Sequence, residues 1–327
     1  MFCAGCTSGR ISERNPRLSQ GIEIHSFKDE FRYFMKTSQN TDANTVWKNW
    51  QDQVESKDPL FFQEVVADSL DTQDWQEKYR TSMKNAWPYF VKYADEINAE
   101  FDKFASLLEE NLMVFQKIFP DFDISKVPIY AAPSLLRFNG QGSEASGRRL
   151  LAFGIDMIVV MREEPKLIPR MVATSNPKVL YAHEIFHIYH GLKQGVNRQV
   201  ILAKGTLANG VWNEGLATYI SGQINPQASD GDLLMDSELA RQCQLYGERL
   251  LRRFKSVAHD RLQTPVGKAE YRDWFLLSSK DNSLPIRAGY CVGLVLARKI
   301  AAAHIDIREM VSWNFEDIPT HLDNFMN

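Results

Sequence analysis

The sequence predicts an α+β fold that is mainly helical and carries one small β-sheet. Apolar residues recur at helical spacing through most of residues 26–120, and again in most of the chain after residue 176. Between these regions, residues 127–131 and 150–160 are dense in aliphatic and aromatic residues, as is typical of buried strands. We divide the chain into a flexible N-terminal segment (1–25), a helical N-terminal region (26–120), a catalytic module (121–305) and a C-terminal tail (306–327).

The N-terminal region is expected to form a helical layer. From Asp42 to Phe119 the pattern is almost continuously helical, and Pro120 ends it. Its clearest apolar stripe repeats every three or four residues, at Phe101, Phe104, Leu108, Leu112, Phe115 and Phe119. Because such stripes are usually buried, we expect this region to cover the next module and to form one wall of a cleft.

The two strand-like runs predict a small sheet. The segment between them contains Gly140, Gly142 and Gly147. Its spacing is not that of a phosphate-binding loop, and no Lys-Ser/Thr pair follows, so we interpret it as a hairpin loop.

A metal-binding pattern lies in the sequence His183-Glu184-Ile185-Phe186-His187. A helix is expected around it, because N-cap candidates at 174–176 precede Pro177 and glycines follow at 191 and 195. Histidines four positions apart lie on one helix face, so both can bind one Zn²⁺ ion. Glu184 would then take a proton from a zinc-bound water, whose pKa the metal lowers to about 7.

Glu214 is the candidate for the third ligand that catalytic zinc requires. It lies in a second helical stretch, which begins after Gly205-Thr206 and stops at Asn225-Pro226. The number of residues between His187 and Glu214 allows the first helix to end, a loop to follow and a second helix to run back antiparallel to the first. This arrangement would place Glu214 opposite the histidines. We expect the two histidine nitrogens and one Glu214 oxygen to converge within about 2.0 to 2.2 Å of one point.

These two helices resemble the gluzincin metallopeptidases, and most closely a group of predicted bacterial zinc-dependent proteases. The resemblance covers roughly residues 120 to 305 and is carried by HExxH and by Asn213-Glu214-Gly215-Leu216-Ala217. It implies a zincin-like module with His183, His187 and Glu214 as zinc ligands and Glu184 as the general base. Many gluzincins have an aspartate four residues after the ligand glutamate, where this chain has Thr218. Support for the ligand histidines is therefore expected from Asn213 or from Thr218 itself.

Peptide hydrolysis also needs a donor for the oxyanion, and two residues are candidates. Tyr290 follows Gly289 in a late helical stretch, and the resemblance implies that such a tyrosine contributes its hydroxyl. Arg287, one turn earlier, can bind either the oxyanion or a substrate carboxylate. Tyr290 can equally be a core residue. His190 shares a face with His183 and His187, and we interpret it as a helix C-terminal cap rather than a member of the site.

Composition excludes some classes of partner. The net charge of −3 gives no field that would hold a nucleic acid, and no apolar run is long enough to cross a bilayer. Cys243 and Cys291 are expected to be separate buried residues. Ala4-Gly5-Cys6 resembles a lipoprotein processing site, although only five residues precede Cys6. The compartment is therefore left between the cytoplasm and, with a lipid anchor at Cys6, the cell envelope.

The sequence thus predicts a zinc metallopeptidase that acts on peptide or protein substrates with one Zn²⁺ ion. Two alternatives stay open. One is a non-catalytic protein that keeps the zinc or the fold for binding or envelope assembly, and the other is a zinc hydrolase of a non-peptide amide.

Overall fold

A computed structural model of the chain describes residues 22–69, 73–145, 147–164, 176–196, 198–276, 281 and 283–326. It shows an α+β fold that is mainly helical, as the sequence predicts. The strands are β1 (Ile24–Ser26), β2 (Ile129–Ala132), β3 (Gly140–Ala145) and β4 (Arg148–Gly154). The helices are α1 (Lys28–Ser38), α2 (Ala43–Gln53), α3 (Trp75–Lys92), α4 (Ala94–Ile118), α5 (Ile155–Glu163), α6 (Pro177–Gln194), α7 (Arg198–Lys204), α8 (Leu207–Ile224), α9 (Asp230–Leu233), α10 (Ser237–Lys255), α11 (Pro265–Phe275), α12 (Ala288–Ala302), α13 (Ile307–Ser312) and α14 (Ile318–Asp323).

The four strands form one mixed sheet in the order β1-β2-β4-β3. β1 and β4 both run parallel to β2, whereas β3 and β4 form an antiparallel hairpin. Gly147, with φ +71°, lies in the hairpin turn. The prediction of a hairpin loop between the two strand-like runs is therefore wrong, because these runs pair in parallel as β2 and β4. The segment between them contains a further strand, β3, which includes Gly140 and Gly142 and forms the hairpin with β4. Two glycines lack the β-branched or aromatic side chains that mark a strand.

The N-terminal helices cover both faces of this sheet. On one face, Phe104 of α4 packs against Phe153 of β4 and Tyr181 of α6. On the other face, a short π-helix at Phe61–Val66 stacks Phe61 on Tyr130 of β2, with ring centroids 4.2 Å apart. The predicted stripe of α4 is confirmed, because every member of it is buried: Phe101, Phe104, Leu108, Leu112, Phe115 and Phe119.

The centre of the molecule is a layer of three helices, in which α8 packs between α6 and α12. Thr206 and Asn209 form a capping box at the start of α8, and Asn225 ends it, as predicted. Its contact with α12 is very close: a Cβ added to Gly215 would lie 2.2 Å from the Gly293 backbone. Two glycines at this crossing let the helix backbones touch, which fixes the position of Glu214, the residue before Gly215.

Residues 155–160 are helical, so the prediction of one strand through 150–160 is wrong in its second half. A continuous apolar run does not distinguish a buried strand from a buried helix. The change of direction is fixed by Asp156, whose buried carboxylate accepts hydrogen bonds from the backbone N–H groups of Ser134 and Leu136. These bonds also hold Leu135 and Leu136 in left-handed conformations, with φ of +57° and +60°.

Cys243 and Cys291 form a disulfide bond, which corrects the prediction that they are separate buried residues. Cys243 lies on α10 and Cys291 on α12, and these helices pack side by side with the two Cα atoms 5.6 Å apart. The pairing could not be predicted from the sequence, because the two cysteines are separated by 48 positions and only the tertiary packing brings their helices together. Disulfides persist mainly in oxidising compartments, so the cytoplasm and the cell envelope would differ in whether this bond is kept.

The chain ends differ from the predicted boundaries. β1 includes His25, so the boundary drawn at residue 25 falls inside the sheet, while Cys3 and Cys6 lie outside the described residues. At the other end, Trp313 stacks on Trp212 of α8, and Asn209 donates a hydrogen bond to the Phe315 carbonyl. Within the described parts of the chain, no helix combines the length and the apolar character needed to cross a bilayer.

Candidate metal centre

Helix α6 presents the two histidines of the predicted motif. Asn176 caps its first turn by accepting from the Lys178 N–H, and Pro177 is its first residue, as predicted. It ends at Gly195, whose φ of +65° is the left-handed conformation that glycine adopts freely. Because α6 lies between α4, α8 and the sheet, nearly all its central side chains are buried. A polar site in such a helix needs partners from its neighbours.

Glu214 of α8 supplies that partner. His183 Nε2 and His187 Nε2 lie 2.9 Å apart, and Glu214 Oε2 lies 3.3 Å from the first and 3.4 Å from the second. The antiparallel return of α8 thus places Glu214 opposite both histidines, as predicted. Among the described residues, these three side chains form a group that can hold a metal ion.

The three atoms suit a tetrahedral zinc site. Zinc ligands at about 2.0–2.2 Å from the ion lie roughly 3.3–3.5 Å from one another. The two separations from Glu214 Oε2, 3.3 and 3.4 Å, fall in this range, and the two histidine nitrogens, 2.9 Å apart, would have to separate by about 0.5 Å. Two imidazoles and one carboxylate form the open ligand set of a catalytic zinc, with a position left for another group. A bound zinc ion would also explain why two ring nitrogens and a carboxylate oxygen lie so close around one point.

The electrostatics of the group also favour a cation. Burial and the neighbouring His187 lower the pKa of His183 to about 4, which leaves its ring neutral. Burial opposes ionisation of Glu214, but the charge of His187 and hydrogen bonds from both histidines outweigh it and hold the Glu214 pKa well below its usual range. Burial alone would lower the pKa of His187. The negative charge of Glu214 and its hydrogen bond to the ring outweigh burial and raise the pKa of His187 to about 9. A metal ion would replace the proton that His187 carries.

Asn213 lies next to the candidate ligands. Its side-chain amide lies 3.5 Å from Glu214 Oε1, and the amide is close enough to His187 and His190 to raise the pKa of both rings. Thr218 instead donates to the backbone carbonyl of Glu214 at 2.8 Å. Of the two expected supports, Asn213 is the one that contacts a ligand histidine. The Nδ1 atom of His183 has no hydrogen-bond partner among the described residues.

His190 is not a helix cap, which corrects that prediction. α6 continues to Gln194, so His190 lies inside the helix, where it is buried and stacks on Phe186. Burial and the neighbouring His187 lower its pKa to about 4, so it is uncharged and cannot interact with the helix dipole as a cation. Gly191 misled the prediction, because the helix passes through this glycine and stops at the next one, Gly195.

Glu184 lies beside the group and has the properties of a general base. Burial raises the pKa of its carboxyl to about 7, near the value at which one group can both accept and donate a proton. Its side chain packs against β3, because a Cβ added to Gly140 would lie only 2.8 Å from Glu184 Cγ. Gly140 was not among the predicted site residues, and its glycine-rich surroundings were the only sequence signal for it.

Tyr290 and Arg287 lie on the α12 side of the group. The Tyr290 ring is 6.2 Å from the His183 ring between centroids and is inclined to it by 22°. Arg287 lies on the Tyr290 ring, with its Cζ 4.0 Å from the ring centroid, and donates to the Leu234 carbonyl at 3.1 Å. Burial raises the pKa of Tyr290 far above its usual range, so its hydroxyl keeps the proton that a hydrogen-bond donor needs. Both candidate donors are therefore near the group, with the Tyr290 ring beside His183 and the Arg287 guanidinium on the Tyr290 ring.

Replacing Gly140 with Ala should reduce turnover without removing the metal. The added Cβ would push the Glu184 side chain by a few tenths of an ångström, and displacements of this size at a catalytic group lower kcat by about tenfold or more. Gly142→Ala is the matched control, because its Cβ would meet only the tip of the Ile188 side chain at 3.0 Å. Steady-state kinetics and zinc content of both variants test this, and equal kcat values would show that Gly140 does not position Glu184.

No family model, curated protein or solved structure matches the chain. The case for a function therefore depends on the residues and geometry described above.

Proposed function

We propose that the protein is a zinc-dependent peptidase. The observation that carries the proposal is the convergence of His183 Nε2, His187 Nε2 and Glu214 Oε2, with the buried carboxylate of Glu184 beside them. A site that only stabilised the fold would usually close the fourth zinc position with a protein ligand and would not need a buried base.

Each residue has a role in hydrolysis of an amide. A bound zinc ion would supply Lewis acidity, which makes water more acidic and a carbonyl carbon more reactive. Glu184 accepts one proton from the attacking water as the new C–O bond forms, and passes it to the amine nitrogen as the C–N bond breaks. Tyr290 donates a hydrogen bond to the carbonyl oxygen as it gains negative charge. His183, His187 and Glu214 hold the ion, and Asn213 orients His187.

The position of β3 favours a peptide over a non-peptide amide as the substrate. β3 is an edge strand, and its first residue, Gly140, touches Glu184. An extended peptide can add to a strand edge through backbone hydrogen bonds, and here it would pass the general base. A small non-peptide amide would make no use of this edge.

Removal of the metal is the test of the proposal. We expect the purified protein to hold one zinc per chain and to cleave members of a mixed peptide library, measured by elemental analysis and mass spectrometry. Treatment with a chelator should reduce cleavage to background, and one equivalent of Zn²⁺ should restore it. Bound zinc without any cleavage would instead favour the non-catalytic alternative, and cleavage by the metal-free protein would contradict the proposal.

A further inference from the structure

Arg287 holds a positive charge at a fixed distance from the candidate metal centre. Tyr290 contacts both of them: its ring centroid lies 6.2 Å from that of His183, and Arg287 Cζ lies 4.0 Å from the same ring centroid. The guanidinium also donates a hydrogen bond to the Leu234 carbonyl. The backbone of Arg287 is left-handed, with φ +57°, a conformation that costs free energy for a residue with a side chain. Arg287 is thus held in place just outside the reacting centre.

No described carboxylate forms an ion pair with Arg287. By contrast, Arg298 of α12 pairs with Asp230, and the half-buried Arg162 pairs with Glu100. An arginine has five N–H donors, and the described partners of Arg287 leave some of them for a ligand. An uncompensated and partly desolvated cation beside a site is suited to an anionic group, and guanidinium matches a carboxylate with two parallel hydrogen bonds.

We propose that Arg287 binds the free C-terminal carboxylate of a peptide substrate, so that the site removes short fragments from C-terminal ends. This inference rests on the proposed peptidase function and specifies its substrate class. It also assigns different roles to the two candidate donors, because Arg287 carries the full positive charge that matches a carboxylate, whereas Tyr290 is a neutral donor whose ring lies 6.2 Å from that of His183. Tyr290 donates a hydrogen bond to the oxyanion, and Arg287 binds the C-terminal carboxylate of the substrate.

The distances indicate how short the released fragment is. The guanidinium can be no farther from the centre of the His183 ring than two steps combined, one of 6.2 Å to the Tyr290 ring and one of 4.0 Å to Arg287 Cζ. An extended peptide covers about 3.3–3.6 Å per residue. After allowance for the contact between carboxylate and guanidinium, one or two residues fit between the scissile bond and the chain end. The expected products are therefore single amino acids or dipeptides.

Binding to an inactive protein tests the inference without relying on turnover. The probes are two libraries of N-acetylated random pentapeptides, one with free C-terminal carboxylates and one with C-terminal amides. Retention by zinc-loaded Glu184→Gln protein is measured by ultrafiltration and mass spectrometry. We expect the free acids to bind at least about tenfold more tightly than the amides. Adding Arg287→Met should remove this preference, Arg287→Lys should keep part of it, and the matched control Arg298→Met should keep all of it.

The outcomes separate this inference from the proposed function. Equal retention of acids and amides, or an equal loss of both in Arg287→Met with zinc content unchanged, would overturn the role of Arg287. Preferential retention of the acids with no cleavage by the unmodified protein would support the carboxylate site and count against the peptidase. Cleavage of both libraries at the same internal bonds would support the peptidase and overturn the carboxylate site.

Discussion

Glu184→Gln is expected to lower kcat by about 10³-fold while the protein keeps its zinc. Glutamine has the size and shape of glutamate, but its amide cannot take a proton from water, and general base catalysis contributes about 10²–10⁴-fold. The three metal-binding atoms belong to other side chains, so zinc content should be unchanged. The melting temperature should not fall, because the substitution removes a carboxylate that burial already disfavours in its charged form.

Two measurements distinguish this prediction from a general loss of structure. Glu184→Asp retains a carboxylate but shortens its reach, so it should keep more activity than Glu184→Gln. Elemental analysis and thermal unfolding of each variant show whether the site remains intact. Full activity of a zinc-loaded Glu184→Gln protein would mean that another group acts as the base.

Gly215→Ala is expected to destabilise the whole protein by about 3 kcal/mol or more, because the added Cβ has no space. It would lie 2.2 Å from both Cα and C of Gly293, so α8 and α12 would have to move apart. For a chain of this size the melting temperature should drop by about 5 °C. Since Glu214 directly precedes the contact, zinc affinity should fall as well.

Gly222→Ala is the matched control for this substitution. It lies in the same helix, but its Cβ would meet only the end of the flexible Leu233 side chain, at 3.1 Å. Alanine favours a helix interior over glycine by up to about 1 kcal/mol, so this variant should be as stable as the unmodified protein or slightly more stable. Thermal unfolding with chelator present separates the packing effect from zinc binding. Equal melting temperatures of the two variants would show that the close helix contact is not needed.

The sequence predicted which side chains form the candidate metal centre, because their positions depend on local helix geometry. A spacing of four places His183 and His187 on one face of α6, and clear start signals fix where α6 and α8 begin. Glu214 required one more inference, that α8 runs antiparallel to α6. The close crossing of Gly215 with Gly293 of α12 then holds α8 from its other side. This contact joins residues that are distant in the sequence, so no local pattern reveals it.

The errors share one physical cause, which is that long-range packing overrides local patterns. Gly140 and Gly142 form a strand because they pair with Phe153 and Leu151 of β4, and their lack of side chains lets β3 approach α6. The Cys243–Cys291 bond exists because α10 and α12 are neighbours. In the same way, the surrounding core makes His190 an uncharged interior residue rather than a helix cap.

Anomalous diffraction at the zinc absorption edge, from crystals of the protein prepared with Zn²⁺, tests the central claim most directly. We predict one strong peak at about 2.0–2.2 Å from His183 Nε2, His187 Nε2 and a carboxylate oxygen of Glu214, with Glu184 beside the ion and not coordinating it. A map with no peak between these three side chains, or with Glu214 turned away from both histidines, would contradict the assignment.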